Sequence, residues 1–295
     1  MFNKSNSELT DDKIWSIAVD KKGNKWLGTS NSGIVKYNGG TFSVFNKSNS
    51  LVIGEQVSPI FVDSKNNIWI SFSNPEGLVK YDGEKWISFS SEEIKLSKLS
   101  IIDIAEDKAG NLYFGGASGL TKFDGNKWQK VPLPKGKNYT IRAIDINSNN
   151  TIAVGHNKGL LIQKDDKWTS FTERNSELQS YVRSLKYVGN DLYIGYGGNL
   201  KGGFSKVRND EWTHINKENS DLPDNMIRDI EIDAKGNFWM ASNNGLIKIS
   251  KNKITPIHFR NKGDAILDIT IEGNVVWVAT LFGFFELDKM SDIKE

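Results

Sequence analysis

Residues 20–29 read Asp-Lys-Lys-Gly-Asn-Lys-Trp-Leu-Gly-Thr, and residues 233–242 repeat them as Asp-Ala-Lys-Gly-Asn-Phe-Trp-Met-Ala-Ser. The aromatic residue after this turn, or its equivalent, returns at intervals of roughly 40 residues. Seven positions carry it: Trp26, Trp69, Tyr113, Ala153, Tyr193, Trp239 and Trp277. Self-similarity at such a period is typical of repeat architectures. The chain is therefore predicted to contain seven copies of one unit.

Each copy predicts four short antiparallel strands, and the third copy shows them most clearly. An apolar start at residues 101–104 precedes the turn at 107–111, and further runs follow at 112–115, 120–123 and 127–131. Gly, Asn and Asp stand at the reversals, and no stretch keeps a period of 3.6 residues. We therefore expect an all-β chain with almost no helix.

The repeat count predicts how these sheets pack. A four-stranded sheet of this size cannot bury both faces alone, so copies must pack face to face, and seven of them close into a ring. We predict a single domain over residues 1–295, a seven-bladed β-propeller of four-stranded antiparallel blades. The predicted blades cover residues 11–46, 55–90, 99–132, 139–172, 180–216, 225–260, and 264–295 together with 1–4. A glycine ends the second turn of every copy, as a positive φ there would require: Gly33, Gly77, Gly119, Gly159, Gly203, Gly245 and Gly283.

The two ends of the chain predict where the ring closes. The stretch Phe2–Leu9 repeats Phe45–Leu51, so the chain begins inside the end of an outer strand. The seventh copy stops near Asp292–Glu295, where its own outer strand should start. An unpaired edge at this seam would be a liability. We therefore expect residues 1–4 to pair beside residues 284–288, joining the N- and C-terminal ends in one blade.

Composition removes several function classes. Lys plus Arg total 38 and Asp plus Glu total 36, and the net charge of +2 lacks the one-sided positive field of a nucleic-acid binder. The absence of cysteine excludes thiol catalysis, thiolate metal sites and disulfides. The longest apolar run, residues 275–285, is too short to span a bilayer. We expect no nucleic-acid partner and no membrane insertion of this chain. Met1–Asn6 is polar and is no signal peptide, so the expectation is a cytoplasmic protein or one whose leader was removed.

The order of residues in the repeat resembles a known family. The pattern I-R-x-I-x-x-D-x-x-G-N-x-W-x-[GA]-[ST]-x-x-G-L-x-K-[FY] is similar to the two-component regulator propeller repeat. This is the sensor module found outside the membrane in bacterial hybrid histidine kinases. The resemblance covers residues 11 to 288 and is weakest in the fourth and fifth copies. It implies periplasmic or extracellular sensing of a ligand, often a saccharide, with the signal carried by further domains of a signalling protein.

Three arginines occupy one position of the repeat, directly after the apolar residue that opens the innermost strand. They are Arg142, Arg183 and Arg228, and we expect them to form an arc at one channel mouth. In the structural interpretation, each arginine bridges to a neighbouring blade, and exposed pairs of that kind contribute about 0.2–1 kcal/mol. In the functional interpretation, planar donors around a concave mouth bind an anionic or hydroxyl-rich ligand. The sequence favours the structural interpretation, because charges at equivalent repeat positions usually serve blade packing, and it leaves the functional one open.

Further side chains are predicted on the same face, because the second turn and the loop between blades lie at the end where the arginines stand. Trp15, His156, Tyr181 and Tyr196 are the candidate ligand-binding residues there, together with an enlarged turn at residues 197–202. These positions differ from copy to copy. Variation among otherwise equivalent positions is where function is grafted onto a repeat scaffold.

Metal and catalytic sites are weakly indicated. Each Asp-x-x-Gly-Asn turn holds one carboxylate, whereas calcium takes six to eight oxygen ligands, and the three histidines stand at non-equivalent positions. We assign no catalytic residue, no metal and no cofactor. The predicted function is a non-enzymatic ligand-sensing or interaction propeller that recognises a saccharide or other polar small molecule. The alternatives are a propeller enzyme, either a lyase using His156 or a glycosidase using the arginines with Tyr196, and a protein–protein scaffold.

Overall fold

The computed structural model describes residues 1–134, 139–179, 181–198, 201–259 and 265–288. Within these residues the regular structure is entirely β, in seven antiparallel sheets whose strands follow one another in chain order. The predicted all-β, seven-bladed propeller is therefore confirmed. No helix in the described ranges has the length and apolar character needed to cross a membrane.

Each blade runs from its innermost strand outward in chain order. The first three blades contain β1 Ile14–Val19, β2 Lys25–Thr29, β3 Ile34–Tyr37 and β4 Phe42–Phe45; β5 Ile60–Val62, β6 Ile68–Phe72, β7 Gly77–Tyr81 and β8 Trp86–Phe89; and β9 Ile101–Glu106, β10 Leu112–Gly116, β11 Gly119–Phe123 and β12 Trp128–Lys130. The next two contain β13 Ile141–Ile146, β14 Ile152–His156, β15 Gly159–Lys164 and β16 Lys167–Phe171; and β17 Val182–Val188, β18 Asp191–Tyr196, β19 Phe204–Arg208 and β20 Glu211–Ile215. The last two contain β21 Ile227–Ile232, β22 Phe238–Ser242, β23 Gly245–Ser250 and β24 Lys253–Ile257; and β25 Ile266–Glu272, β26 Val275–Thr280 and β27 Gly283–Asp288.

Two compact units divide the chain: residues 1–88 with 231–295, called unit 1, and residues 89–230, called unit 2. In both, the core lies between the faces of successive sheets. In unit 1, Trp26 of the first blade packs in one cluster with Ile70 of the second. In unit 2, Tyr113 of the third blade shares a cluster with Ile144 of the fourth. Face-to-face packing of sheets therefore buries the apolar side of each strand.

In the first, second and sixth blades, the Asp turn holds the large aromatic residue of the repeat in place. In the first blade, Asp20 accepts hydrogen bonds from the backbone N–H of Lys22 and Asn24, both at 2.9 Å, and from Trp26 Nε1 at 3.0 Å. The same indole bond recurs from Trp69 to Asp63 at 2.9 Å and from Trp239 to Asp233 at 3.1 Å. Burial raises the pKa of Asp20, but these hydrogen bonds outweigh burial and hold the pKa below its ordinary value of 3.8.

The N-terminus completes the last blade, as predicted. Phe2 forms an antiparallel bridge with Phe284, through N–H to O distances of 2.8 and 3.1 Å, and its ring stacks on that of Phe284 at 4.7 Å. The pairing is shorter than the predicted residues 1–4, because Asn3 turns the chain: its N–H donates to Asn6 Oδ1 at 2.9 Å. Residues 289–295, where the seventh copy was expected to stop, lie outside the described residues.

Candidate functional site

A β-bulge places the arginines. In β13, Ile141 pairs with His156 and Ala143 with Gly155, so that Arg142 has no partner in β14. The register skips one residue at the same place in five of the inner strands, and the skipped residues are Trp15, Ile102, Arg142, Arg183 and Leu267. A bulge locally bends the strand and re-aims the side chain of the extra residue. Each bulged strand thus has one residue that does not pair with the next strand, and in unit 2 two of these residues are arginines.

Close approach of neighbouring inner strands depends on glycine. A methyl group added at Gly155 would lie 2.4 Å from Cγ1 of Val182, the residue before Arg183. A methyl group at Gly195 would meet Ser184 Oγ at 2.2 Å and Ile227, the residue before Arg228, at 2.8 Å. Only a residue without Cβ allows this approach. The packing of blade four on blade five, and of blade five on the start of β21, therefore brings the three arginine-bearing segments together within unit 2.

The charge of one arginine affects the pKa of a neighbouring arginine. Burial lowers the pKa of Arg183, and the positive charge of Arg142 lowers it further, against an opposing effect of Tyr181. Burial also lowers the pKa of Arg228, with Arg183 adding to the shift and Tyr181 and Asp224 opposing it. The three side chains therefore form one row of neighbouring cations, called the arginine row, as the shared repeat position predicts.

Two members of the arginine row lack the partners that buried charges normally have. The Nε atoms of Arg142 and Arg183 are buried without a hydrogen-bond partner, and neither guanidinium forms an ion pair with any carboxylate in the described part of the chain. A buried, unpaired charge is unfavourable for the fold. The bridging role of the structural interpretation is therefore not what these two side chains perform in this structure.

Tyr181 lies beside the arginine row. The Arg142 Cζ atom stands 5.4 Å from the centroid of its ring, a cation–π distance. The ring also packs against Gly197, where an added methyl group would lie 2.2 Å from two ring atoms. The Gly197 N–H donates to the Tyr181 carbonyl at 3.1 Å. Tyr181 is thus held in one place by the chain around it, next to Arg142.

A pocket of about 450 Å³ opens on Tyr181 within unit 2. The second turn of the fourth blade and the connection to the fifth blade line it through Asn157, Lys158, Thr172, Glu173, Arg174, Leu178 and Tyr181. Its volume lies within the range of small-molecule sites in proteins, about 300–1,000 Å³. Sequence reasoning placed Tyr181 on this face but missed the other lining residues, because no repeat position marks them.

Carboxylates follow the bulges and join inner strands. In unit 2, Asp103 accepts the backbone N–H of Ile144 at 2.6 Å and that of Ile104 at 2.8 Å. In unit 1, Asp268 accepts the N–H of Ile17 at 2.8 Å in the same way. The pKa of Asp103 is raised to about 7, chiefly by burial and further by the charges of Asp229 and Asp145, although its two hydrogen bonds lower it. The sequence shows these acids at one repeat position but not the backbone groups they bind.

Two predicted site residues are core residues. Tyr196 is fully buried, and its hydroxyl donates to Ser205 Oγ at 2.8 Å; burial raises its pKa to about 12. His156 is fully buried as well, with Nδ1 accepting the N–H of Lys158 at 3.0 Å and the ring edge-on to Tyr139 at 4.7 Å. Both side chains end a second strand and turn into the blade rather than toward the arginine row.

The remaining predicted features lie elsewhere. Trp15 occupies the bulge of β1 in unit 1, half-buried, and its Nε1 atom has no hydrogen-bond partner there. Within the enlarged turn at 197–202, residues 199 and 200 lie outside the described residues. No group of three or more His, Asp or Glu side chains in the described ranges is arranged to hold a metal ion.

Comparison with known proteins identifies the repeat. The sequence profile described as the two component regulator propeller matches residues 221–244. This segment is similar to a two-component regulator propeller repeat. The resemblance predicted from the sequence is thereby confirmed, and no curated protein matches the chain.

Solved structures share the fold at low identity. The extracellular domain of the putative hybrid two component system BT3049 from B. thetaiotaomicron is 20% identical, with a TM-score of 0.78 over 96% of this chain and 39% of that one. A catalytically inactive virginiamycin B lyase from Staphylococcus aureus, solved with quinupristin, is 16% identical, with a TM-score of 0.78 over 96% of both chains. The WD40 β-propeller domain of Doa1 is 10% identical, with a TM-score of 0.74 over 95% and 93%. At such identities the likeness concerns the fold, and this chain spans well under half of the BT3049 domain.

The matched propeller repeat contributes to the arginine row. Residues 221–244 include Arg228 and also Asp224, whose charge acts on it. Arg142 and Arg183 stand at the same position of the two preceding copies. The candidate site is therefore built from one position of the propeller repeat, used with arginine three times in unit 2.

Proposed function

We propose that this propeller is a non-enzymatic ligand-binding module of the sensor type, which recognises a polar small molecule at the arginine row beside Tyr181. One observation carries the proposal: the Nε atoms of Arg142 and Arg183 are buried without partners, and both side chains lack a carboxylate counter-ion within the described residues. Groups that weaken the fold in this way are typical of binding sites, where a ligand supplies the missing partner.

The sensor context is part of the proposal. The matched repeat belongs to regulator propellers, and a similar fold forms the extracellular domain of a putative hybrid two component system. We propose a bacterial protein that works in the periplasm or outside the cell, with binding read out by other domains of a signalling protein. The ligand classes favoured by guanidinium donors are saccharides and small organic acids.

A propeller lyase is the second candidate, because a virginiamycin B lyase shares the fold over 96% of both chains. Proton abstraction requires a base within reach of the substrate. His156, the histidine nearest the candidate site in sequence, is fully buried with Nδ1 accepting a backbone hydrogen bond. His214 lies on the outer strand β20 against Ser205. These positions favour binding over catalysis.

The proposal is tested by a ligand screen with matched variants. Wild-type protein is titrated calorimetrically with neutral saccharides, sugar acids and small organic acids. Arg183→Ala should weaken any binding at least tenfold, because a charge-assisted hydrogen bond contributes about 1.5–3 kcal/mol. Arg208→Ala is the control, since Arg208 pairs with Asp191 and its side chain is 61% exposed. Binding that Arg183→Ala leaves unchanged, or no binding across the panel, contradicts the proposal, whereas turnover of a panel compound would favour the enzyme.

A further inference from the structure

The pocket and the arginine row share a wall. Tyr181 lines the pocket, and the guanidinium carbon of Arg142 stands 5.4 Å from the centre of its ring. Tyr181 also lies close enough to Arg183 and Arg228 to raise the pKa of each, against the larger lowering by burial. A molecule seated in the pocket therefore contacts an aromatic residue whose ring also lies beside the Arg142 guanidinium, and that guanidinium has no carboxylate partner among the described residues.

The charge around this shared wall is positive. Lys158 and Arg174 line the pocket, and Arg142 and Arg183 lie near Tyr181, whereas Glu173 is the one carboxylate among the lining residues. Lys158 and Arg174 are exposed and remain hydrated, so their attraction for an anion is weak. The Nε atoms of Arg142 and Arg183 are buried without a hydrogen-bond partner, and neither side chain has a counter-ion among the described residues, so an anion gains most from contact with these two guanidinium groups.

The pocket itself suits a body with many hydroxyl groups. Asn157 and Thr172 offer an amide and a hydroxyl, and Lys158, Glu173 and Arg174 add charged hydrogen-bonding groups. Apolar surface comes from Leu178 and the Tyr181 ring. A volume of about 450 Å³ accommodates one or two ring-sized units rather than a long chain.

We propose that the ligand is a sugar acid, with its hydroxylated ring in the pocket and its carboxylate directed past Tyr181 to Arg142 and Arg183. This inference rests on the proposed function and narrows it to one chemical class. It gives the unpaired guanidinium groups their counter-ion and uses the polar lining for the ring hydroxyls. It also explains why Gly197 is needed, since a larger residue there would displace Tyr181 from between the two subsites.

The test compares probes that differ in one group. Wild-type protein is titrated with glucuronate, with glucose, which lacks the carboxylate, and with glycolate, which lacks the ring. Glucuronate should bind at least tenfold more tightly than either, and its affinity should fall with added salt. Glucose binding as tightly as glucuronate overturns the carboxylate contact, and glycolate binding as tightly overturns the pocket.

Variants then locate the two subsites. Arg142→Gln should weaken glucuronate at least tenfold and abolish its advantage over glucose, whereas the exposed Arg174→Gln should weaken it only a few-fold. Arg142→Lys keeps the charge and distinguishes loss of charge from loss of the planar donor. Arg208→Gln is the control and should change nothing. Glucuronate affinity that survives Arg142→Gln overturns the inference.

Failure of this inference is distinguishable from failure of the proposed function. If a neutral compound from the wider screen binds and Arg183→Ala weakens it while sugar acids do not bind, the module binds ligand and the sugar-acid assignment is wrong. If no compound binds wild-type protein, both fail. Thermal melts of every variant, compared with wild type, show that a lost affinity does not come from unfolding.

Discussion

The aspartates of the repeated turns and the arginines of the inner strands are both charged groups within β-structure, but they differ in their hydrogen-bond partners. Asp20 accepts four hydrogen bonds, from two backbone N–H groups, Asn24 Nδ2 and Trp26 Nε1. Arg142 and Arg183 have buried Nε atoms with no partner. The turn recurs along the chain, whereas arginine fills its position in only three copies. Stability is therefore carried by the repeated position, and ligand recognition is proposed at the position that varies.

The largest expected effect comes from the repeated turn. Asp20→Ala removes the acceptor for an indole and three N–H donors that are shielded from water, so it should lower the free energy of unfolding by about 2–4 kcal/mol. The control is Asp82→Ala in an exposed outer turn, where Asp82 accepts only two backbone hydrogen bonds, from Glu84 and Lys85. Its loss should be clearly smaller, because this carboxylate is exposed to solvent and its hydrogen bonds compete with water. Urea denaturation of both variants checks this, and equal losses would break the comparison.

The seam in unit 1 should show the next largest effect. Phe2→Ala keeps the backbone bridge to Phe284 but removes ring contacts at 4.7 Å to Phe284 and 5.1 Å to Tyr37. We expect a loss of about 1–3 kcal/mol. Ile53→Ala, at a side chain that is 53% exposed, should stay within about 0.5 kcal/mol of wild type. Unchanged stability of Phe2→Ala in chemical denaturation would contradict closure through this residue.

The repeat made the scaffold predictable. Periodic Asp turns and second-turn glycines count the blades, and the Phe2–Leu9 match to Phe45–Leu51 finds the seam, because each copy must bury the same faces. The structure adds that Asn3 and Asn46 open one and the same local turn, donating to Asn6 and Asn49 Oδ1, both at 2.9 Å. Local hydrogen bonding of this kind is encoded within a few residues and is therefore readable from sequence.

The candidate site was predictable only in part. The shared position of the arginines predicts their proximity, but the bulge that frees Arg142 and Arg183 is a register shift without a sequence signal. Tyr196 and His156 were predicted in the site, but both side chains are buried in the blades. Each stands at the end of a second strand, where a side chain turns either outward or into the blade, and the choice depends on tertiary partners such as Ser205 and Tyr139. The pocket residues come from separate loops, so only the folded structure shows that they lie together.

The stability contributions of Asp20, in a repeated turn, and of Asp103, on an inner strand next to the bulge, should change with pH in opposite directions. The pKa of Asp20 is depressed, so its contribution is present above the ordinary value of 3.8 and is lost as pH falls through the folded value. The pKa of Asp103 is raised to about 7. Its unfolded carboxyl ionises first as pH rises, so wild type loses stability between about pH 4 and 7 and the loss remains above that range.

Asp103→Asn isolates this effect, because the amide imitates the protonated acid. Relative to wild type, the variant should gain about 1–2 kcal/mol between pH 4.5 and pH 8, less than the full shift implies, since Asp103 is partly exposed. Urea unfolding of both proteins at the two pH values measures the difference. A difference that does not change with pH would show that Asp103 ionises normally in the fold.

The smallest expected effect is the most informative one. Arg183→Met keeps an unbranched apolar stem but removes a charge that is repelled by Arg142 and whose buried Nε atom has no hydrogen-bond partner. Replacing such a charge with an apolar group of similar size is neutral or stabilising. The measurement is the free energy of unfolding of Arg183→Met relative to wild type, by urea denaturation without added ligand. We expect it to be unchanged or up to about 1 kcal/mol higher, as for an arginine kept for binding, whereas a loss of more than about 1 kcal/mol would mean that Arg183 holds the blades together.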